Sequence, residues 1–348
     1  MAGPLARLGY GAAQGARVAW FMGHYLALRR MHGPLTPPGE APVAIKGARP
    51  GWQGLVAAMR ELFERDWKNI ESGIYRLPAD LPADPAAAVE RSMAFFRDAR
   101  AVDERRLARR HSEVLTPALR GRFPRYYLQN FHYQTDGWLS EKSARLYDTQ
   151  VEVLFTGTAD AMRRQALVPL AEALQGRDQR KLHLLDVACG TGRFLETVSG
   201  NYPRLNMTGI DLSPPYIAEA RTRLARRRNV TLVEANAETL PVGESTQDVV
   251  TCIFLFHELP PKIRKVIAAE MARVLKPGGV LILVDALQTG DRPDFDGLLE
   301  FFPIGFHEPY FSSYLKEDLT AIFARAGLER LGQTPAFLSK VMWFGKPA

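Results

Sequence analysis

Cysteine is almost missing from this chain: Cys189 and Cys252 are the only two in 348 residues. Two thiols cannot build a disulfide framework, and a structural metal site needs three or four ligands. Cys189 falls inside a glycine turn and Cys252 inside an apolar run. Both read as small buried residues of a protein in a reducing cytoplasm. Acidic residues are absent before Glu40, in a stretch that holds Arg7, Arg17, Arg29 and Arg30. The apolar run within it, VAWFMGHYLAL (18–28), is too short for a bilayer span, which takes roughly 20 residues. It also lacks the cationic start and small-residue cleavage site of a signal peptide. Two readings remain for this segment: packing against the protein itself, or an interfacial helix with Trp20, Phe21 and Tyr25 at a lipid boundary.

What is present is a globular composition, 46% hydrophobic and 24% charged, which supports a core and excludes a disordered chain. The net charge of +7 is unevenly spread. Residues 1–130 carry 20 Lys/Arg against 12 Asp/Glu, whereas the remainder is nearly balanced. The excess reads either as solvated helix faces or as contact with an anionic partner.

The spacing divides the chain at 1–32, an apolar and basic helical segment; 33–51, a Pro/Gly linker; 52–178, a helical cap or substrate domain; and 179–348. LVAAMRELFERDWKNI (55–70) has helical spacing, and a second break follows at LPADLPADP (77–85). Asp84 and Pro85 suit the cap and first turn of the next helix, whose Val89, Met93, Phe96 and Leu107 share a face. Further helices are expected from Ser140 and over 158–174. Beyond 181 the rhythm changes. Strand candidates at 182–188, 205–212, 230–236, 248–256 and 279–287 alternate with helix candidates at 192–200, 214–227 and 260–275, the last ended by KPGG. A helix near 313–326 and two short runs, ERLGQTPAFLS and KVMWFG, close the chain as an antiparallel pair. The pattern predicts an α/β fold: a Rossmann-like, doubly wound, mostly parallel seven-stranded sheet preceded by an all-helical domain.

LLDVACGTGRF (184–194) ends the first strand in a turn bracketed by Gly190 and Gly192, where such folds bind nucleotides. Asp211, at the end of the second strand, can accept hydrogen bonds from both ribose hydroxyls. NAD and S-adenosylmethionine both suit these features. The third glycine of a dinucleotide site, needed for close approach to a pyrophosphate, is replaced by Leu195. Asp186, four residues before Gly190, would repel a pyrophosphate but help to hold an ammonium or sulfonium. The turn therefore points to S-adenosylmethionine.

With GIDLSPPYIAEA, VEANAETLPVGESTQDVVTCIFLFHELP and EMARVLKPGGVLILVD, this turn makes residues 181–287 resemble class I S-adenosylmethionine-dependent methyltransferases. Within them it is most similar to the ubiquinone/menaquinone-biosynthesis type. The resemblance implies contacts from Ala188, Gly190, Thr191 and Gly192 to the methionine part of the cofactor, with Asp211 on the ribose and Leu212 on the adenine. Asn236 stands where the family usually has Asp; it keeps an acceptor and loses the charge. Ala237 lies beside it, and Phe254 flanks the methionine moiety.

Methyl transfer needs alignment of acceptor and methyl, and a base where the acceptor bears a proton. Two His-Glu pairs follow strand ends, His257-Glu258 and His307-Glu308. Either histidine is a candidate base, with helix capping as the plainer role. The spacing of the four matches no ligand motif, so no metal is assigned. PRYYLQNFHYQTDGWLS (124–140) reads as a lid, with Tyr126, Tyr127, His132, Tyr133 and Trp138 lining an acceptor site and Tyr147 reaching the methionine end. LLEFFPIGFHEPYF (298–311) adds Phe306 and Tyr310. Two aromatic stretches favour a sizeable apolar acceptor over a tiny polar one. RTRLARRR (221–228) reads as a water-facing helix end, and no nucleic-acid motif accompanies it.

The reading is methyl transfer to a small apolar or aromatic metabolite resembling a quinone, pigment or lipid, in the cytoplasm or peripheral to a membrane. One alternative is an RNA or protein methyltransferase, against which the missing NPPY-type tetrapeptide counts. The other is a non-catalytic S-adenosylmethionine-binding regulator.

Overall fold

Short apolar runs that alternate with amphipathic stretches pair into one sheet in the computed structural model, which describes residues 3–34, 44–81 and 84–348. Most of the expected linker, residues 35–43, lies outside the described residues, as do 82–83 in the second break. The strands are β1 (His183–Val187), β2 (Asn206–Asp211), β3 (Val230–Glu234), β4 (Gln247–Ile253), β5 (Leu275–Ala286), β6 (Glu329–Ala336) and β7 (Ser339–Gly345). Their order is β3-β2-β1-β4-β5-β7-β6, parallel except for β7, which runs antiparallel to both neighbours. Leu184, Leu185 and Val187 of β1 are fully buried, as a central parallel strand covered on both faces requires.

Helices α7 (Arg193–Asn201), α8 (Pro214–Arg223) and α9 (Pro261–Val274) link the parallel strands. KPGG does not follow α9 as a stop: α9 ends at Val274, and the tetrapeptide belongs to β5. Gly278 there takes φ of 72°, and the register against β4 shifts between Gln247 and Val249. The helix expected near 313–326 is two, α11 (Phe311–Tyr314) and α12 (Leu319–Arg325), because Asp318 restarts the chain by capping Ala321 N–H.

Ahead of the sheet come α1 (Pro4–Met31), α2 (Trp52–Glu71), α3 (Pro85–Leu107), α4 (Glu141–Leu154), α5 (Ala159–Arg164) and α6 (Leu167–Leu174); α10 (Asp296–Gly305) follows β5. The single helix expected at 158–174 is thus broken between Arg164 and Leu167. Asp84 caps α3 by accepting from Ala86 and Ala87 N–H. The face read as apolar on α3 is wrong in part: Val89 and Met93 are exposed, whereas Ser92, Phe95, Asp98, Ala99 and Arg106 are buried. Hydrophobic spacing misses this because the inward polar groups are paired. Asp98 accepts from Lys142 Nζ at 2.6 Å and from the Thr135 hydroxyl at 2.7 Å, and Arg106 binds Asp103 at 2.6 Å.

The helical front and the sheet share one apolar cluster, in which Tyr10, Trp67, Ile70 and Tyr75 join Leu184, Phe194 and Val198. Buried charges reinforce the joint. Arg17 of α1 lies 2.6 Å from both Glu152 and Asp160, and Arg193, the first residue of α7, lies 2.5 Å from Asp160. Arg223 was expected to face water, but it turns inward to Asp148 and Glu196. Asp148 of α4 also accepts from the Thr191 hydroxyl at 2.9 Å, which ties that helix to the glycine turn.

Candidate active site

The glycine turn sits at the carboxyl end of β1. Ala188 and Gly190 both take positive φ, 58° and 55°, conformations that glycine adopts freely and alanine at a cost. A Cβ added at Gly190 would meet nothing within 4 Å, so this part of the turn faces open space. Gly192 differs: a Cβ there would strike Leu224 Cδ1 at 2.9 Å. Its role is to let α7 pack against α8.

Opposite the turn, Asp211 ends β2. Its Oδ2 accepts from Gly190 N–H and its Oδ1 from Ser213 N–H, each at 2.8 Å, leaving lone pairs on both oxygens. Burial pushes its carboxyl up to about 6, although these backbone donors pull the other way. Around this pair runs a cavity lined by Ala188, Gly190, Asp211, Leu212, Asn236, Ala237 and Phe254, the positions expected for the cofactor, by Tyr147, and by Tyr126, Tyr127 and Trp138, which were expected at the acceptor site instead. Asn236 caps its own loop by accepting from Glu238 N–H at 3.0 Å, and Tyr126 donates to Glu238 at 2.8 Å.

Three expected cofactor residues do not line this cavity. Asp186 is 1% exposed and accepts from the Thr251 hydroxyl on β4 at 2.6 Å, and burial raises its carboxyl to about 7. Facing another strand, it holds the root of the turn. Thr191 binds Asp148, and Gly192 packs on α8, as described above. Ser213 and Tyr216, also lining the cavity, were missed. The capping serine before Pro214 was the available signal: Ser213 caps α8 and fixes the first turn that carries Tyr216.

A second cavity of about 570 Å³ adjoins the first. His132, Tyr133 and Phe306 line it as expected, together with Phe95, Ala99, Phe301 and Phe302, and with Tyr25, Leu28 and Arg29 of α1. Tyr147, Phe254 and Glu258 line both cavities, so these three side chains form the wall where the two spaces meet. Phe254 has φ of 58°, a strained backbone that turns the chain sharply at the end of β4.

His257 and Glu258 lie at that wall, in a 3-10 turn after β4. His257 Nδ1 is 2.6 Å from Asp285 on β5, and its Nε2 is 3.9 Å from Glu258. Desolvation lowers its basicity, but Asp285 outweighs this and holds the imidazole at about 9. At neutral pH Asp285 therefore holds it as a cation. Asp285 was missed in the sequence, where the signal was one acid within the apolar strand LILVDA. Burial, then Glu308, pushes the Glu258 carboxyl well above the usual range.

His307 is not placed as expected. Its Nε2 pairs with Gln129 Oε1 at 2.8 Å, and its ring stacks on His111 at 4.1 Å, so it lines neither cavity. Burial and His111 lower it to about 4, leaving it neutral. Tyr310 also lines neither cavity, and its hydroxyl accepts from Gln129 at 3.1 Å. Glu308 points toward Glu258 and His132, and one ligand atom of each lies within 4.8 Å of the others.

This strand order, with a glycine turn on β1 and an acid ending β2, defines a class I S-adenosylmethionine-dependent methyltransferase fold. Residues 184–279 match the family described as "Methyltransferase domain". The chain carries a class I S-adenosylmethionine-dependent methyltransferase domain, and S-adenosylmethionine is that family's methyl donor. It is 32% identical over 151 residues to the ubiquinone/menaquinone biosynthesis C-methyltransferase of Syntrophotalea carbinolica, covering 43% of this chain and 60% of that one. Against a demethylmenaquinone methyltransferase of Deinococcus radiodurans it is 35% identical, covering 40% and 55%. Against an O-methyltransferase of Penicillium expansum the figures are 31%, 50% and 60%. The chain thus spans a little over half the length of these curated relatives. The residues present fit the cofactor: an open turn at Gly190, a buried carboxylate with spare lone pairs, and aromatic walls.

Proposed function

We propose that this protein transfers a methyl group from S-adenosylmethionine to a small, largely apolar or aromatic acceptor held in the larger cavity. The observation that carries this reading is the shared wall of Tyr147, Phe254 and Glu258, which puts an apolar space of ligand size directly beside the cofactor cavity. The cofactor supplies a methyl group on a sulfonium that departs as a neutral thioether. The chain's task is to fix both partners at near-attack distance and keep water out. Asp211 orients the ribose end, Phe254 and Tyr147 flank the transfer point, and Glu258 faces the acceptor with His257 and Asp285 behind it. The names of the quinone-pathway relatives support an acceptor of similar apolar character.

Incubation with methyl-labelled S-adenosylmethionine and a cell extract tests this. Label is expected in the lipid-soluble fraction. Label confined to protein or nucleic acid would overturn the assignment. Ala99, buried on α3, lines only the larger cavity, so Ala99→Phe should raise the acceptor KM at least tenfold and leave cofactor affinity unchanged. Steady-state kinetics with the isolated acceptor checks this.

We also propose that α1 rests on an anionic membrane surface. Its outward side presents Leu5, Leu8, Ala12, Ala16, Ala19, Trp20 and Leu26, all exposed, with Arg7, Arg29 and Arg30 at the two ends. Tyr25, Leu28 and Arg29 of the same helix line the larger cavity, which suits an acceptor arriving from lipid. No helix among the described residues is long and apolar enough to cross a membrane. The protein should co-sediment with phosphatidylserine vesicles, and Leu8→Glu with Leu26→Glu should reduce the bound fraction at least fivefold. Wild-type protein left in the supernatant would remove this contact from the proposal.

A further inference from the structure

Three side chains far apart in sequence converge at the shared wall, Glu258 being part of it. His132 comes from the segment between α3 and α4, Glu258 from the turn after β4, and Glu308 from the segment after α10. Their ligand atoms lie within 4.8 Å of one another. An ion with ligands about 2.0–2.2 Å away holds opposed atoms up to about 4.4 Å apart. The three are therefore at, or within about half an ångström of, bridging separation.

Glu308 supplies the anomaly. Its side chain is completely buried, yet among the described residues neither carboxylate oxygen has a hydrogen-bond partner. His132 Nε2 stands 3.0 Å from Oε1 without the alignment of a hydrogen bond. A buried, unbonded carboxylate is expensive, and here a second carboxylate, Glu258, is close by. The arrangement is also held in place beforehand. His132 sits at φ of 53° with Tyr133 at 55°, its backbone N–H donates to His307 O at 3.2 Å, and Phe302 and Phe306 meet its ring edge-on at 5.8 and 5.7 Å. Behind Glu258, His257 Nε2 stands 3.9 Å away, an ion-pair separation, with Asp285 holding the other side of its ring at 2.6 Å.

We propose that His132, Glu258 and Glu308 bind a divalent transition-metal cation whose remaining positions open into the larger cavity. One imidazole with two carboxylates suits Mn²⁺, Fe²⁺ or Zn²⁺ better than Mg²⁺ or Ca²⁺, which favour all-oxygen sets. His132 and Glu258 both line that cavity, so a ligand there can complete the coordination through oxygen. The ligand class is an aromatic or apolar molecule bearing two adjacent oxygens, a vicinal diol or hydroxy-ketone. That class rests on reading the larger cavity as the acceptor site. The cation site itself does not.

Protein stripped with a chelator and titrated with Mn²⁺ should remove the paramagnetic signal of the free ion with one site per chain, at micromolar Kd. Glu308→Gln and His132→Ala should each weaken this at least tenfold while leaving S-adenosylmethionine affinity and the thermal melt in place. His132 is partly exposed, so its variant keeps the test valid even where Glu308→Gln disturbs folding. With Mn²⁺ bound, 4-nitrocatechol should show the absorbance shift of a chelated catecholate, absent in His132→Ala. No Mn²⁺ binding below millimolar concentration, or binding indifferent to both variants, overturns the site. Binding with no nitrocatechol shift overturns the ligand class. Methylation of the lipid-soluble fraction that persists in chelator without Mn²⁺ binding would sink the cation site alone, whereas Mn²⁺ binding without methylation would sink only the transfer reading.

Discussion

Asp211→Ala lowers affinity for S-adenosylmethionine about 100-fold. The carboxylate ends β2 beside the glycine turn, where it can accept from both ribose hydroxyls, and hydrogen bonds to a charged acceptor contribute about 1.5–3 kcal/mol each. Losing two of them, softened by water entering the gap, leaves a deficit of about 2.7 kcal/mol, or two decades in Kd. The same group predicts a pH dependence. Burial sets the Asp211 carboxyl at about 6, and only its ionised form accepts from both hydroxyls. Affinity should therefore be level above pH 7 and fall as pH drops through 6, reaching about a tenfold loss at pH 5. Titration calorimetry from pH 5 to 8 on wild type and Asp211→Ala checks both statements. A wild-type curve flat across that range would show that the Asp211 charge does not govern the site.

Asp66→Ala destabilises the fold by about 3–5 kcal/mol, the cost of breaking a buried charge pair by removing one partner. Asp66 is completely buried and accepts from the hydroxyls of Tyr10 and Tyr75, each at 2.6 Å, and from Arg164 at 2.6 Å. Those donors come from α1, from the segment after α2 and from α5, so one carboxylate fastens three parts of the helical front. Arg164 keeps Asp80 at 2.7 Å, which limits the loss. Urea unfolding followed by circular dichroism measures it. A change below 1 kcal/mol would mean that the network does not hold these helices together.

Much of the methyltransferase fold was legible because its elements are locally encoded. Runs such as LHLLDVA can be buried only between helices, and the glycine turn and Asp211 announce themselves by position. The strand ends were placed within a few residues, and the β6–β7 hairpin was evident from two short apolar runs. The helical front was less legible. There the inward faces of α1 and α3 carry Gln14, Arg17, His24, Asp98 and Arg106, whose burial depends on partners elsewhere in the chain, and hydrophobic spacing cannot see pairing at a distance. The site divides in the same way. Ala188, Gly190 and Asp211 follow from motif position alone. His307 and Glu308 are neighbours in sequence yet point to different surroundings, and Glu308 meets His132 only through the path of the lid. Asp186 read as a cofactor ligand because its spacing from Gly190 was right. The parity of β1 turns it toward Thr251 instead.

The inner face of α1 mixes hydrocarbon with ionic groups: Tyr10 is buried there, with Val18 and Phe21 packed against buried clusters, yet so are Arg17 and His24, and most of the outer strip is apolar. A helix bordering water keeps its ionic groups outside and its hydrocarbon inside, but here Arg17 and His24 face the protein while leucine, alanine and tryptophan face away. In water alone that outer strip is a debt of exposed hydrocarbon carried along a 28-residue helix, about 42 Å in length. The purified protein should therefore be a poor colloid. It should self-associate as its concentration rises and return to single chains when mild detergent or lipid covers the strip.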